Sequence, residues 1–173
     1  VGGAAGGITL GLKLIFKDNV HCFFAEPTHS PCVLLGLLTK MHDAISVQDI
    51  GIDNLTAADG LAVGRSSKFV GKIIENIISG VYTIPDDELF KLLALLKESE
   101  NIYMEPSALA STLGPVMLFQ TLEGKKFIEQ HKLSSLVDKA THIVWGTGGS
   151  IVPKEINKAD YDKGKHLLGS RGQ

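Results

Sequence analysis

The chain begins with a run of very small residues, VGGAAGG over positions 1–7, which leads directly into an apolar segment over residues 8–16. Small side chains let backbone N–H groups converge, and a helix that begins inside the run directs its positive end at an anion. The run therefore predicts a phosphate-binding loop. It has neither the GxGxxG pattern nor the Lys-Ser/Thr ending of a P-loop, so a flexible glycine-rich terminus is the alternative.

Composition excludes several classes of function. The 173 residues are 44% hydrophobic with a formal net charge of −2, so the chain can bury a substantial core and needs no polyanionic partner. An apolar run of about 18 residues is absent, as is a basic segment before the first apolar stretch, which argues against a membrane span. Cys22 and Cys32 are predicted to be free thiols. We therefore expect a cytoplasmic protein with no nucleic-acid or membrane partner.

The beginning of the chain predicts that more polypeptide precedes it. The first residue is Val rather than Met. A phosphate-binding glycine loop also normally follows a β-strand, and the sequence has no residues before the loop to form one. We therefore expect a piece of a longer protein.

The next segments predict an α/β fold. Residues 8–16 have the apolar density of a buried helix, and residues 20–25 predict a strand that ends before Pro27. A helix followed by a strand is half of a βαβ unit, so we expect helices packed on a parallel sheet. The histidines and cysteines after this strand lack the spacing of a zinc site, whereas Glu26 with loop carbonyls suits a hard cation.

Further along, the pattern alternates between helices, strands and loops. We predict helices over residues 33–41, from 67, from 86 and over 105–119, with Leu89, Leu92, Leu93 and Leu96 of the helix from 86 facing inward. A β-like piece is predicted at 45–47, and strands are predicted at 81–83 and 141–145. Residues 53–64 are either a ligand loop or a plain Ω-loop, and residues 146–150 are either a ligand-contacting or a plain glycine turn. Asp86, Asp87 and Glu88 are predicted to be a solvated first helical turn rather than catalytic acids.

Taken together, five segments resemble the bacterial D-serine dehydratases, also called D-serine ammonia-lyases. They are the glycine run, HCFFAEPTHSPC at 21–32, DNLTAADGLAVGR at 53–65, EPSAL at 105–109 and HIVWGTGGSIVP at 142–153. The likeness covers nearly the whole chain in order. More distantly, the chain is similar to serine and threonine dehydratases and serine racemase, the fold type II enzymes that use pyridoxal 5′-phosphate (PLP).

The resemblance implies a three-layer parallel-sheet fold of the tryptophan synthase β type. Residues 1–156 would form the C-terminal part of the large PLP-binding domain, and residues 157–173 would form a polar tail that frays. Backbone N–H groups of the glycine run would bind the PLP phosphate, Thr147 would hydrogen-bond the pyridine nitrogen, and two further residues would lie near the ring. The implied cofactor-binding residues are Gly2, Gly3, Ala4, Ala5, Gly6, Gly60, Glu105 and Thr147.

The resemblance also implies a cation site. Glu26 and Ser30 match positions where relatives bind a cation near the glycine loop. Cys32 stands where the relatives have a third acidic ligand, which favours K⁺ or Na⁺ over Mg²⁺.

The implied activity is α,β-elimination of D-serine, with D-threonine as a second substrate, to give a keto acid (pyruvate from D-serine) and ammonia. The family's Schiff-base lysine lies upstream in a Ser-x-Lys context that this sequence lacks. We therefore expect the chain alone to be inactive, with the upstream half of the same enzyme as its partner. The neutral hydroxyl of Thr147 leaves the ring a weaker electron sink, which favours prompt elimination. The alternatives are an L-threonine or L-serine dehydratase and a non-enzymatic phosphate- or nucleotide-binding module.

Overall fold

Two parallel strands form the sheet of the computed structural model, which describes residues 2–170. Strand β1 (Phe23–Pro27) pairs with β2 (Gly80–Ile84), with Phe23 opposite Gly80 and Pro27 opposite Ile84. Gly80 leaves room for the Phe23 ring, because a Cβ at position 80 would lie 3.0 Å from it. The parallel pairing and the flanking helices confirm the predicted α/β class.

Seven α-helices accompany the strands within the described residues. They are α1 (Gly3–Phe16), α2 (Cys32–Thr39), α3 (Lys68–Ile74), α4 (Asp86–Glu100), α5 (Gly114–Gln120), α6 (Leu122–Gln130) and α7 (Lys154–Gly169). Shorter 3-10 segments lie at Lys17–Asn19, His42–Ala44, Val47–Ile50, Asp59–Leu61, Pro106–Leu113 and Val137–Lys139. Among residues 2–170, no helix combines the length and the apolar character needed to cross a bilayer.

The core consists of two clusters of buried side chains. The first joins β1, α2 and α3 through residues such as Phe24, Val33 and Ile74. The second joins α4 to the 3-10 segment Pro106–Leu113 through Leu89, Leu93 and Leu109. The inward face predicted for α4 is confirmed, since Leu89, Leu92, Leu93 and Leu96 all contribute to this second cluster.

Helix α1 differs from the prediction of a buried helix over residues 8–16. It begins five residues earlier, at Gly3, and only Gly6 and Thr9 are buried among its described residues. Leu14 and Ile15 are 71% and 72% exposed. The reason is that α1 packs on α3 through its glycine face, where a Cβ at Gly6 would lie 2.7 Å from Val70 Cγ1. The apolar face consequently points away from the described core.

The strand predicted at residues 141–145 is wrong. These residues have no strand conformation, and Ile143 and Trp145 are 73% and 56% exposed. Alternating apolar residues do not make a strand without a neighbouring backbone to hydrogen-bond, and residues 2–170 supply none here. The Trp145 carbonyl instead accepts a hydrogen bond from the Ser111 hydroxyl at 3.2 Å.

The predicted fraying of residues 157–173 is also wrong for the described part of that tail. Helix α7 runs from Lys154 to Gly169 and packs on α4, while residues 171–173 lie outside the described residues. The Tyr161 hydroxyl donates to Glu98 Oε1 at 2.9 Å, and Lys165 pairs with the same carboxylate. The polar composition therefore marks the solvent face of a docked helix. The helix crosses the predicted boundary between residues 156 and 157, and the division into domains stays a prediction.

Gly164 lets α7 approach the backbone of α4 closely, and its substitution tests this docking. A Cβ there would lie 2.1 Å from the Phe90 carbonyl oxygen. We expect Gly164→Ala to lower the free energy of unfolding by about 1–3 kcal/mol, because backbone cannot move aside cheaply. Gly11→Ala in α1 is the matched control, since a Cβ there meets nothing within 4 Å; it should raise stability by up to about 1 kcal/mol. Urea unfolding of both variants measures the difference, and equal midpoints would contradict the docking.

Candidate functional site

The amino end of α1 presents free backbone donors. Gly2 caps the helix with a left-handed φ of +93°, and the Gly6 N–H donates to the Gly2 carbonyl at 2.6 Å. The N–H groups of Gly3, Ala4 and Ala5 belong to the first turn, which has no intrahelical acceptors for them. Within the described residues, no side chain caps this end, and its first turn carries no acidic residue. The turn can therefore receive an anion.

Glycine at positions 2 and 6 has a packing reason in addition to any ligand. A Cβ at Gly2 would lie 3.3 Å from Val70 Cγ1, and one at Gly6 only 2.7 Å from the same atom. Ala4 and Ala5 lie inside the helix and are exposed, so their methyl groups need no special backbone conformation. The run thus packs on α3 through Gly2 and Gly6, and its alanines are exposed. Val1 lies outside the described residues.

A second group of predicted residues comes together around Glu105. The Ser107 hydroxyl donates to Glu105 Oε1 at 2.8 Å. Gly60 lies against the same pair, because a Cβ there would be 3.2 Å from Ser107 Oγ and 3.8 Å from Glu105 Oε1. Gly148 also approaches this carboxylate, since a Cβ there would lie 2.5 Å from Glu105 Oε1. Three segments distant in sequence therefore meet at one carboxylate, and we call Gly60, Glu105, Ser107 and Gly148 the Glu105 cluster.

The glycine turn at 146–150 needs its glycines for conformation as well as for space. Gly148 and Gly149 have φ values of +103° and +115°, which L-residues with a side chain rarely adopt. Gly149 also lies against the backbone of Met104, where a Cβ would be 2.6 Å from Cα. Thr147 stands exposed in this turn, immediately before Gly148. Thr147 is therefore the residue next to the Gly148 that contacts Glu105, and its contact with the cofactor stays a prediction.

The loop over residues 53–64 is held by side chains from two other segments. Asp86 Oδ1 accepts from the Thr56 hydroxyl at 2.5 Å, and Asp86 Oδ2 accepts from the Ala57 N–H at 2.6 Å. Asn54 accepts from the Ser30 hydroxyl at 2.8 Å. Asp86 lies in the first turn of α4 as predicted, but its carboxylate is half-buried against this loop rather than solvated. This contact of Asp86 was not predicted. Its acidic neighbours in the sequence concealed it, and a loop rich in small residues offered no side-chain signal for a partner.

Glu26 and Ser30, the predicted cation ligands, both have protein partners. Glu26 accepts hydrogen bonds from the N–H groups of Val33 and Leu34 at 2.9 and 2.8 Å, so its carboxylate caps α2. Burial raises the pKa of Glu26, and those two hydrogen bonds oppose the shift. Burial, together with the Glu26 charge, raises the pKa of the Cys32 thiol to about 11, which keeps it protonated. Residues 2–170 contain no group of three or more His, Cys, Asp or Glu arranged for a metal, and the cation stays a prediction.

Comparison with known proteins gives this geometry its context. The sequence profile of the family described as "Pyridoxal-phosphate dependent enzyme" matches residues 1–128. The chain belongs to this family. The match includes the amino end of α1, the 53–64 loop and Glu105, which carry most of the predicted cofactor contacts. The fold type and the cofactor class that the sequence resemblance implied are thereby confirmed.

Curated relatives agree with the resemblance that the sequence analysis found. The chain is 59% identical over 167 residues to a probable D-serine dehydratase of Geobacillus stearothermophilus, and 60% identical over 167 residues to one of Bacillus cereus. Each alignment covers 96% of this chain but only 36% and 37% of the relative. The chain therefore spans little more than a third of the length of the relatives it matches.

Solved structures confirm the fold. Serine racemase from Dictyostelium discoideum superposes with a TM-score of 0.60 at 24% identity, covering 88% of this chain and 42% of that one. A processed threonine deaminase from Solanum lycopersicum gives a TM-score of 0.60 at 16% identity, covering 98% of this chain and 40% of that one. Both are similar to this chain in fold, and both have the type II architecture.

The residues present fit PLP. A phosphate dianion needs several N–H donors, and the first turn of α1 offers N–H groups on exposed residues with no acidic residue in the turn itself. The Glu105 cluster adds two glycines that bring backbone close to polar side chains, and the neighbouring Thr147 is exposed. Backbone donors for the phosphate and polar groups for the ring are both available, so no residue of the predicted set conflicts with the cofactor.

A carboxylate placed in the first turn of α1 tests the phosphate assignment. We expect Gly3→Asp in the full-length protein to weaken PLP binding at least about tenfold, because its charge opposes the phosphate. The same change should not destabilise the helix, since an acidic side chain is favourable at a helix amino end. A fluorescence titration of the apoprotein with PLP measures the affinity.

Gly7→Asp is the matched control for this variant. Gly3 and Gly7 lie four positions apart in α1, both are exposed, and a Cβ at either meets nothing within 4 Å. The control adds the same charge one turn away from the free N–H groups and should leave the PLP affinity near that of the unchanged protein. Equal losses in the two variants would contradict phosphate binding at this turn.

Proposed function

We propose that this chain is the part of a PLP-dependent ammonia-lyase that binds the cofactor, and that the enzyme converts D-serine to pyruvate and ammonia. The observation that carries the substrate is the 59–60% identity to proteins named probable D-serine dehydratase over 96% of the chain. The geometry supports the same proposal, since the three segments that meet at Glu105 are segments of the D-serine dehydratase resemblance.

In this proposal the amino end of α1 binds the phosphate. The N–H groups of Gly3, Ala4 and Ala5 donate to it, with Gly2 and Gly6 completing the loop and letting it seat against Val70. The helix dipole adds to these hydrogen bonds, because the positive end of α1 meets the dianion. Backbone N–H groups and the helix dipole can anchor a phosphate in this way without a charged side chain.

The Glu105 cluster serves the ring end of the cofactor. Thr147 offers a neutral hydroxyl to the pyridine nitrogen, and the turn that carries it is held against Met104 and Glu105. The 2.8 Å hydrogen bond from Ser107 orients the Glu105 carboxylate, and these two side chains together line the space beside Gly60. When bound, PLP supplies the electron sink for breaking a bond at the substrate's Cα. The residues of this chain orient the cofactor, and the proton-transfer groups come from outside the chain.

The proposal also includes a partner polypeptide, a cation and a cellular location. The exposed apolar side chains of α1 and of residues 143–145 support packing against further polypeptide, which would be the upstream half of the enzyme with its Schiff-base lysine. A K⁺ or Na⁺ ion would lie near Glu26 and Ser30, which share one buried loop end. The location would be cytoplasmic.

An assay of the full-length enzyme with resolved substrates tests the proposed reaction. We expect D-serine to release ammonia and pyruvate in equal amounts, D-threonine to react more slowly, and the L-enantiomers to react at no more than a small fraction of the D-serine rate. A preference for L-serine or L-threonine would assign the enzyme to the other dehydratases of the superfamily. Binding of mononucleotides in place of PLP, with no turnover of any of these substrates, would favour a phosphate-binding module.

A further inference from the structure

Asp86 connects the sheet to the Glu105 cluster through the 53–64 loop. It is the first residue of α4, directly after the turn that follows β2. Both of its carboxylate oxygens accept hydrogen bonds from the loop, one from the Thr56 hydroxyl at 2.5 Å and one from the Ala57 N–H at 2.6 Å. Thr56 Oγ1 in turn accepts from the Ala58 N–H at 3.1 Å. Three consecutive loop residues are therefore fixed by one carboxylate.

The fixed residues lead directly to Gly60. Ala58 is fully buried in the core cluster that contains Ile84 and Leu109. The chain then turns through the 3-10 segment Asp59–Leu61, which places Gly60 against Ser107 and Glu105. Ala58 and Gly60 are only two residues apart. A shift of the loop residues that Asp86 holds would therefore also move Gly60 relative to Ser107 and Glu105.

The other acidic residues of the first turn of α4 do not share this arrangement. Asp87 is exposed, whereas Asp86 is partly buried. The Glu88 carboxylate pairs with Lys91 at 2.6 Å. Charge at the helix amino end is thus common to all three residues, but the two loop hydrogen bonds belong to Asp86.

We propose that Asp86 is a positioning residue for the cofactor ring site, a role that rests on the proposed function. Asp86 contacts neither Glu105 nor Thr147 in the hydrogen bonds described, and it acts through the 53–64 loop by fixing where Gly60 stands. The Asp86 carboxylate accepts from both partners at once, and its charge strengthens both hydrogen bonds. An asparagine keeps one acceptor but turns an NH₂ group toward the other partner, so the Thr56 hydroxyl would have to rotate and accept instead of donate. The exchange therefore removes the charge and rearranges the hydrogen bonds that hold the loop.

Paired variants of the full-length enzyme separate this role from helix capping. We expect Asp86→Asn to lower kcat/KM for D-serine about 10- to 100-fold, since a small misplacement of a binding wall costs that much. It should also change the visible circular dichroism of bound PLP, which reports the asymmetry around the ring. Asp87→Asn removes the same charge from the same helical turn and should leave both measurements unchanged.

Thr56→Val provides a second variant that keeps side-chain shape. It removes the hydroxyl that Asp86 Oδ1 accepts from, and we expect it to change the dichroism of bound PLP in the same direction. Because both variants break one connection, the effect of Thr56→Val with Asp86→Asn should be smaller than the sum of the two.

The outcomes distinguish this role from the proposed function. If PLP binds but the dichroism and kcat/KM of Asp86→Asn match those of Asp87→Asn, the positioning role is wrong even though the proposed function stands. If the dichroism changes as expected but D-serine is not a substrate of the unchanged enzyme, the positioning role is supported and the substrate is wrong. A full-length protein that binds no PLP overturns both.

Discussion

The parallel pairing of β1 with β2 determines where the loops of this chain can meet. With Pro27 opposite Ile84, both carboxyl ends lie at one edge, and the Thr28 N–H extends the ladder by donating to the Ile84 carbonyl at 3.1 Å. The loop after β1 contributes Ser30 and the helix after β2 contributes Asp86. Both hold the 53–64 loop, which could not be reached from two strands of opposite direction. The position of ligand loops at the carboxyl ends of parallel strands follows from the same geometry.

Close backbone approach, rather than buried charge, builds the candidate site. Gly6 lets α1 lie on Val70, Gly60 lets the loop reach Ser107, and Gly148 lets the last turn reach Glu105. Each contact would be blocked or strained by a single Cβ. A site built in this way leaves N–H groups accessible to a ligand, and the first turn of α1 itself carries no acidic residue. That arrangement suits a cofactor with an anionic phosphate and an aromatic ring.

The sequence indicated which segments could form the candidate site, but it did not indicate which residues hold those segments in place. The small residues at 1–7 and the glycine turn at 146–150 indicated ligand loops, and Gly60 and Glu105 came from a family resemblance that the comparisons confirm. Asp86 escaped prediction because its partners are a backbone N–H and a threonine hydroxyl 29 and 30 residues away. Residues 141–145 were predicted as a strand because apolar alternation reports a preference, whereas a strand also needs a neighbouring backbone. Helix α7 was missed because a polar composition fits both a solvated tail and a helix that buries one narrow face.

The central claim is that the first turn of α1 holds the phosphate of PLP while the Glu105 cluster borders its ring. A crystal structure of the full-length enzyme with PLP bound tests it most directly. The account predicts phosphate oxygens about 2.7–3.2 Å from the backbone nitrogens of Gly3, Ala4 and Ala5, with the pyridine ring beside Gly60 and its nitrogen within hydrogen-bonding distance of the Thr147 hydroxyl. A phosphate bound by side chains elsewhere, with the first turn of α1 facing solvent, would contradict it.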